Sequence, residues 1–293
     1  MSITSKSIDD SFSHLCRLLE TNRKVYFGRY GDGEIYTMLG ADCLEHTGSS
    51  ELAADLREAF FIDDPLYLRA VGVNYPVEKG MVHGLFAPYT DNFQLEKDLL
   101  GTLHVFDDTV FENQILFHYL AVFRPEMMND FLNRYIRGKK IMFIGGTPRE
   151  VVEKIFGPVA FYIPVPTKNA YYSMKDWFAD AMVHAHEAEV IIPSAGVTSK
   201  IILGRLWKMG VEAHCLDIGS LIDAVHGKSS RKWIKLMGHR INRIVLPVYR
   251  DRSLAFRLYA LRKEIFFVLR RLYRGRFYKV PYHYTKSNNV FCV

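Results

Sequence analysis

Cysteine is scarce: the 293 residues hold four, Cys16, Cys43, Cys215 and Cys292, and no two have the spacing of a zinc site or a redox dithiol. They are expected as reduced thiols, Cys16 and Cys215 in the core. No run of about 18 apolar residues occurs, and the start "MSITSKSIDDSFSHLC" lacks the basic and apolar regions of a secretory signal, so a cytoplasmic protein is expected. Neither a GxGxxG fingerprint nor a Walker A sequence is present, which removes support for dinucleotide oxidoreduction and for P-loop hydrolysis. Repeats, low-complexity tracts and Pro/Gly/Ser linkers are absent before residue 250. Acids are nearly missing from one segment: residues 251–279 carry nine Lys or Arg against two acids. The net charge of +6 therefore sits in that appendage, leaving residues 1–250 at a net −2 and arguing against a nucleic-acid-binding face on the main body.

What is present is an ordinary globular share of apolar residues, 49%, arranged in alternating strand-length and helix-length runs. From Lys139 to Asp223 the order is strand "KKIMFIGG", helix "PREVVEKIFG", strand "AFYIPVP", helix "SMKDWFADAMVHAHEA", strand "EVIIP", helix "VTSKIILGRLWKMG" and strand "EAHCLDIG". Four strands with three crossovers predict a parallel, half-Rossmann sheet. The N-terminal half is less regular. It predicts a helix over 8–20, the strand "KVYFGR", the helix "SSELAADLREAFF", the strand "LYLRAVGV", and helical segments over 94–101 and 112–137. The expected architecture is α/β, a mostly parallel sheet flanked by helices, with one domain over 1–250 and a C-terminal extension over 251–293.

In such a sheet ligands bind beyond the carboxyl ends of the strands. That rule gathers "GRYGDGE" (28–34), "GGTP" (145–148), "PTKNA" (166–170), "SAGVTSK" (194–200) and "DIGSLID" (217–223) at one edge. "GVTSK" and "GGTP" join strand ends to helix starts, where free N–H groups favour a phosphate near Gly196 and Thr198 and near Gly145 and Thr147. Asp32 and Glu34 are two apart at a strand end; in an extended segment both carboxylates would face one side and suit Mg²⁺ or Mn²⁺. Gly31 and Gly33 would allow close approach of a diphosphate. Spacing alone is not specific, since Glu96/Asp98 and Glu187/Glu189 share it.

The segment "GRYGDGE" resembles the Arg-aromatic-Gly-Asp-Gly-Glu segment of the GT-D type glycosyltransferases, first met as a bacterial domain of unknown function. "VPTKNAYY", "SAGVTSKIILGRLWKMG" and "CLDIG" are similar to three later segments of that family, in the same order. The resemblance implies a Rossmann-like GT-D catalytic domain that transfers a sugar from a nucleotide donor, typically UDP-linked, to a glycan or lipid-linked glycan. Carried over by position, it implies Asp32 and Glu34 as metal ligands with Arg29 preceding them. Lys168 and Asn169 would hold phosphate, sugar or base, and Gly196 and Thr198 would face phosphate. Asp217 lies at the last strand end. The chain departs from the family after "DIG", where Ser220, Asp223 and His226 follow. Asp223 is the expected catalytic base, with His226 behind it. A metal-dependent phosphohydrolase of nucleotide-like substrates is the alternative on the same residues.

Within 251–279, Leu254, Leu258, Leu261, Ile265, Val268, Leu269 and Leu272 fall on one helical stripe, with arginines mostly opposite. Phe256, Tyr259, Phe266 and Phe267 lie among those arginines. The pattern predicts an amphipathic helix that packs on the domain, meets an anionic membrane surface on the cytoplasmic side, or does both.

Overall fold

The structure is a computed structural model that describes residues 3–43, 46–73, 93–105, 109–219 and 221–222. In chain order the elements are β1 (Thr4–Ser5), α1 (Ile8–Thr21), β2 (Val25–Tyr30), α2 (Asp32–Met38), α3 (Ser50–Phe60), β3 (Tyr67–Val71), α4 (Phe93–Thr102) and β4 (Val110–Asn113). Then come α5 (Leu116–Phe123), α6 (Pro125–Tyr135), β5 (Ile141–Gly145), α7 (Arg149–Phe156), β6 (Phe161–Pro164), α8 (Met174–Ala185), β7 (Val190–Ser194), α9 (Thr198–Lys208) and β8 (His214–Leu216). The strands form one eight-stranded sheet in the order β1-β4-β3-β2-β8-β7-β5-β6, and every pair is parallel.

Alternation along each strand divides the core between the two faces of the sheet. Phe27, Phe143, Ile192 and Leu216 point to the side covered by α1, α5, α6 and α7. Tyr26, Tyr30, Met142, Ile144, Ile191 and Cys215 point to the side of α3, α8 and α9. Every residue of β2 is buried, Arg29 included, as expected of a central parallel strand covered on both faces. Helix starts follow local chemistry. Ser7 caps α1 by accepting from the Asp10 N–H at 3.1 Å, and Ser49 caps α3 by accepting from the Leu52 N–H at 3.1 Å. Helices α3 and α9 meet closely at Gly204, where an added Cβ would lie 2.7 Å from the Ala59 Cβ.

Two expectations are corrected. Residues 112–137 are not one helical segment: Glu112 belongs to β4, and the remainder divides into α5 and α6 at Pro125. The Glu112 carboxylate is buried where the side chains of Lys6, Ser11 and His14 all converge on it, and Pro125 has no N–H to continue a helix but suits the first turn of a new one. Asp32 and Glu34 do not lie in extended backbone, because α2 begins immediately after Gly31. The 251–293 extension lies outside the described residues. Among the described residues no helix is long and apolar enough to cross a membrane.

Candidate active site

Strands β2 and β8 are neighbours in the sheet although their paired residues Val25 and His214 lie 189 positions apart; β2 leads on to β3 on one side, and β8 is reached from β7 on the other. A crevice at such a divergence is where α/β sheets place ligands. At the end of β2 the extended Gly31 caps α2, and Glu34 reaches back so that its Oε2 accepts the Gly31 N–H at 2.9 Å. Asp32 Oδ1 accepts the Gly33 N–H at 2.9 Å. A Cβ on Gly31 would lie 2.4 Å from Gln114 Nε2, so a side chain there would require the Gln114 amide to shift.

Three charged groups meet behind this turn. Lys200, 5% exposed in the first turn of α9, donates to Glu34 Oε1 at 2.7 Å, to Asp217 Oδ2 at 2.9 Å and to the Gly196 carbonyl at 3.3 Å. Burial alone would lower the Lys200 ammonium, but the Asp217 and Glu34 carboxylates more than offset it and hold the group above its ordinary value. Asp217, 2% exposed, also accepts the Arg29 N–H at 3.4 Å. The Arg29 guanidinium is turned the other way, donating through Nε to the Gln114 carbonyl at 2.7 Å and through Nη2 to His118 Nδ1 at 3.3 Å. Gly219 lets that guanidinium pass: its φ is +67°, and an added Cβ would sit 1.6 Å from Arg29 Nη1.

The β7-to-α9 turn supplies the other wall. Gly196 takes φ +60°, Ser199 Oγ accepts the Ala195 N–H at 2.8 Å, and no acid occupies the first turn of α9. Thr198 is fully buried and its Oγ1 has no hydrogen-bond partner among the described residues, an unusual state for a buried hydroxyl. His46, 3% exposed, hydrogen-bonds the Ala195 backbone, and its Nδ1 has no partner among the described residues. Burial keeps its imidazole below the usual histidine range, the Ala195 bond and the Glu34 charge opposing that shift only in part. The loop carrying His46 is tied on by the Thr47 N–H, which donates to Asn169 Oδ1 at 3.0 Å, and by the Tyr172 hydroxyl, which donates to the Thr47 carbonyl at 2.8 Å.

The sequence-derived residues therefore divide. Arg29, Gly31, Asp32, Glu34, Gly196, Thr198 and Asp217 converge at the β2, β8 and β7 strand ends. Asn169, in a left-handed conformation with φ +52°, joins them indirectly through Thr47. Gly33 lies on the partly exposed first turn of α2. Gly145 ends β5, two strands from β8, and Thr147 follows it; Lys168 is exposed and without a polar partner among the described residues. Asp223 and His226 lie outside the described residues. Lys200, Gln114, His118 and His46 were not predicted. Lys200 did carry a signal, a cation in the first turn of a helix, where the dipole disfavours one. Gln114, His118 and His46 had none.

Comparison with known proteins agrees with this geometry. The family model described as "Glycosyltransferase GT-D fold" matches residues 27–227. A solved glycosyltransferase structure of domain of unknown function 1792 from Streptococcus sanguinis is 20% identical, with a TM-score of 0.56 over 77% of this chain and 84% of that one. A second structure, described as that domain with a distinct glycosyltransferase fold, is 19% identical, with a TM-score of 0.58 over 78% of this chain and 80% of that one. Comparison with curated proteins gives no match. With the matching model spanning more than half of its length, the chain belongs to the GT-D family of glycosyltransferases.

Proposed function

We propose that the chain transfers a sugar from a UDP-linked donor to a hydroxyl of a glycan or lipid-linked glycan in surface polysaccharide or glycoconjugate synthesis, using Mn²⁺ or Mg²⁺ held at Asp32 and Glu34. The observation that carries this reading is the placement of the α9 N-terminus, with its buried Thr198 hydroxyl unpartnered among the described residues, beside the carboxylates of α2. First-turn N–H groups and the helix dipole attract a diphosphate, and the Thr198 Oγ1 is a ready partner for one of its oxygens.

Among the described residues no cluster of three or more metal-ligating side chains is present, so the two carboxylates would hold a hard divalent cation only together with substrate oxygens. Asp32 and Glu34 offer carboxylate oxygens from one helical turn, both partly exposed, and Mg²⁺ is commonly held by one or two carboxylates together with substrate phosphates. Members of the GT-D family are generally metal-dependent. When bound, such an ion offsets the charge that grows on the leaving diphosphate. The remaining residues act by preorganisation. Lys200 fastens the β2, β7 and β8 ends together, and Arg29 locks β2 against the Gln114 carbonyl and His118, so the anion-binding groups need no rearrangement when the donor arrives. Lys168 and Asn169, on the loop before α8, are assigned to the donor sugar or base. Asp223, with His226 behind it, is assigned the acceptor proton. The basic segment 251–279 is assigned to anionic lipid on the cytoplasmic face, at about 1 kcal/mol per basic residue near the surface.

The test is a thermal-shift screen of nucleotide sugars with and without Mn²⁺. A UDP-sugar with Mn²⁺ should stabilise the protein more than either alone, and UDP should be the nucleotide released during transfer. Asp32→Ala combined with Glu34→Ala should abolish both effects; an unchanged double variant would refute the site assignment.

A further inference from the structure

Lys200 faces the carboxylates, yet it has no proton to spare for a substrate. Its three ammonium hydrogens have three acceptors, Glu34 Oε1, Asp217 Oδ2 and the Gly196 carbonyl, at 2.7, 2.9 and 3.3 Å. What it supplies is charge at one point. Asp32, Glu34 and Asp217 place three carboxylates at the ends of two adjacent strands, and Lys200 sets its cation between two of them, Glu34 and Asp217. Remove Lys200, and Glu34 and Asp217 would face a common position, within 2.9 Å of each, with no cation between them. Two carboxylates around an empty point are what a hard divalent ion seeks. The lysine occupies that point, buried and paired with both carboxylates.

We propose that Lys200 is a built-in counter-ion that prevents the strand-end carboxylates from taking up a divalent ion by themselves, so that the site accepts metal only together with the nucleotide diphosphate. The inference rests on the reading of Asp32 and Glu34 as metal-holding residues. With Lys200 in place its ammonium already sits between Glu34 and Asp217, so the point where both could meet a divalent ion is taken. The diphosphate brings the missing oxygens. Metal and nucleotide then bind with strong positive coupling, which must be equal in both directions. The arrangement also protects the site: an acidic cluster without the lysine would fill with whatever divalent ion is abundant, before any donor is present.

Electron paramagnetic resonance of free Mn²⁺, titrated with the full chain with and without UDP, measures this coupling directly. The unmodified protein should bind Mn²⁺ at least about tenfold more tightly with UDP than without it. In Lys200→Gln, which keeps hydrogen-bonding capacity but removes the charge, nucleotide-free Mn²⁺ affinity should rise at least about tenfold and the coupling should shrink in proportion. Lys200→Arg, which keeps the charge, should remain close to the unmodified protein. A folded Lys200→Gln with unchanged nucleotide-free affinity overturns the proposal, and so does Lys200→Arg behaving like Lys200→Gln. If Lys200→Gln does not fold, equal Mn²⁺ binding by the unmodified protein with and without UDP overturns it instead. Should the unmodified protein bind no Mn²⁺ even with UDP, the metal-site reading itself fails.

Discussion

The carboxyl edge of the sheet has two parts that look alike in sequence and differ in what they bury. At the β5 and β6 ends, "GGTP" is a glycine-rich strand-to-helix turn whose glycines make room for other backbone. A Cβ on Gly145 would lie 2.6 Å from the Phe143 ring and 2.9 Å from the Ser194 carbonyl, one on Gly146 2.7 Å from the Thr167 methyl and 2.9 Å from the Val165 carbonyl, and the Thr147 carbonyl accepts the Tyr162 hydroxyl at 2.8 Å. At the β2, β7 and β8 ends, the "GDGE" and "SAGVT" turns enclose Arg29, Glu34, Lys200 and Asp217, together with a hydroxyl that has no partner among the described residues. Buried charges and unpaired polar atoms are costly to maintain. The comparison teaches that a glycine turn marks a close approach, and that the groups buried around it decide whether the approaching body is a ligand or the protein itself.

Gly219→Ala should break the charged end most severely. The new methyl collides with the Arg29 guanidinium and the residue must keep a positive φ, so transfer should fall by about 100-fold or more in kinetic assays while stability drops by about 1–3 kcal/mol. Gly146→Ala is its counterpart at the apolar end. It should lower stability by about 1–3 kcal/mol in denaturant titrations, because backbone cannot yield, and leave UDP affinity of the folded protein unchanged. A matched pair of threonines sharpens the contrast further. Thr198→Val should weaken UDP binding about tenfold by calorimetry, about the worth of one hydrogen bond to a charged oxygen, while Thr147→Val should change it by about twofold at most.

The smallest effect is on pH. His46 and His214 are both held below the ordinary imidazole range, chiefly by burial, with Lys139 adding to the effect at His214. The unfolded chain takes up these protons at about pH 6.5, above the folded values. Stability is therefore fully present above about pH 6.5 and is lost as pH falls toward the folded values. Melting temperatures at pH 7.5 and 5.5 should show that loss, and His46→Gln together with His214→Gln should reduce it.

Much of the fold was legible locally. The apolar runs at 141–145 and 190–194 announced their strands, and Pro148 and Gly157 announced the ends of α7. The strand at 110–113 was not legible, because its Glu112 is buried only by virtue of Lys6, Ser11 and His14 from about one hundred residues away. The "GDGE" turn was read in the right place but in the wrong conformation. Its acids suit a helix start as well as a metal, and the choice of helix depends on Glu34 turning back to the Gly31 N–H.

Sequence alone determined the α/β class and, through four ordered segments, the family. Those features rest on periodicity and on short-range turn chemistry, which each segment carries within itself. Tertiary structure decided that β8 inserts beside β2, which brings Asp217 to Arg29 and Glu34 to Lys200 across more than 160 residues. Such contacts are electrostatic and long-range, and no local pattern encodes them. They are also what separates the charged end of the sheet from the glycine-lined end that resembles it.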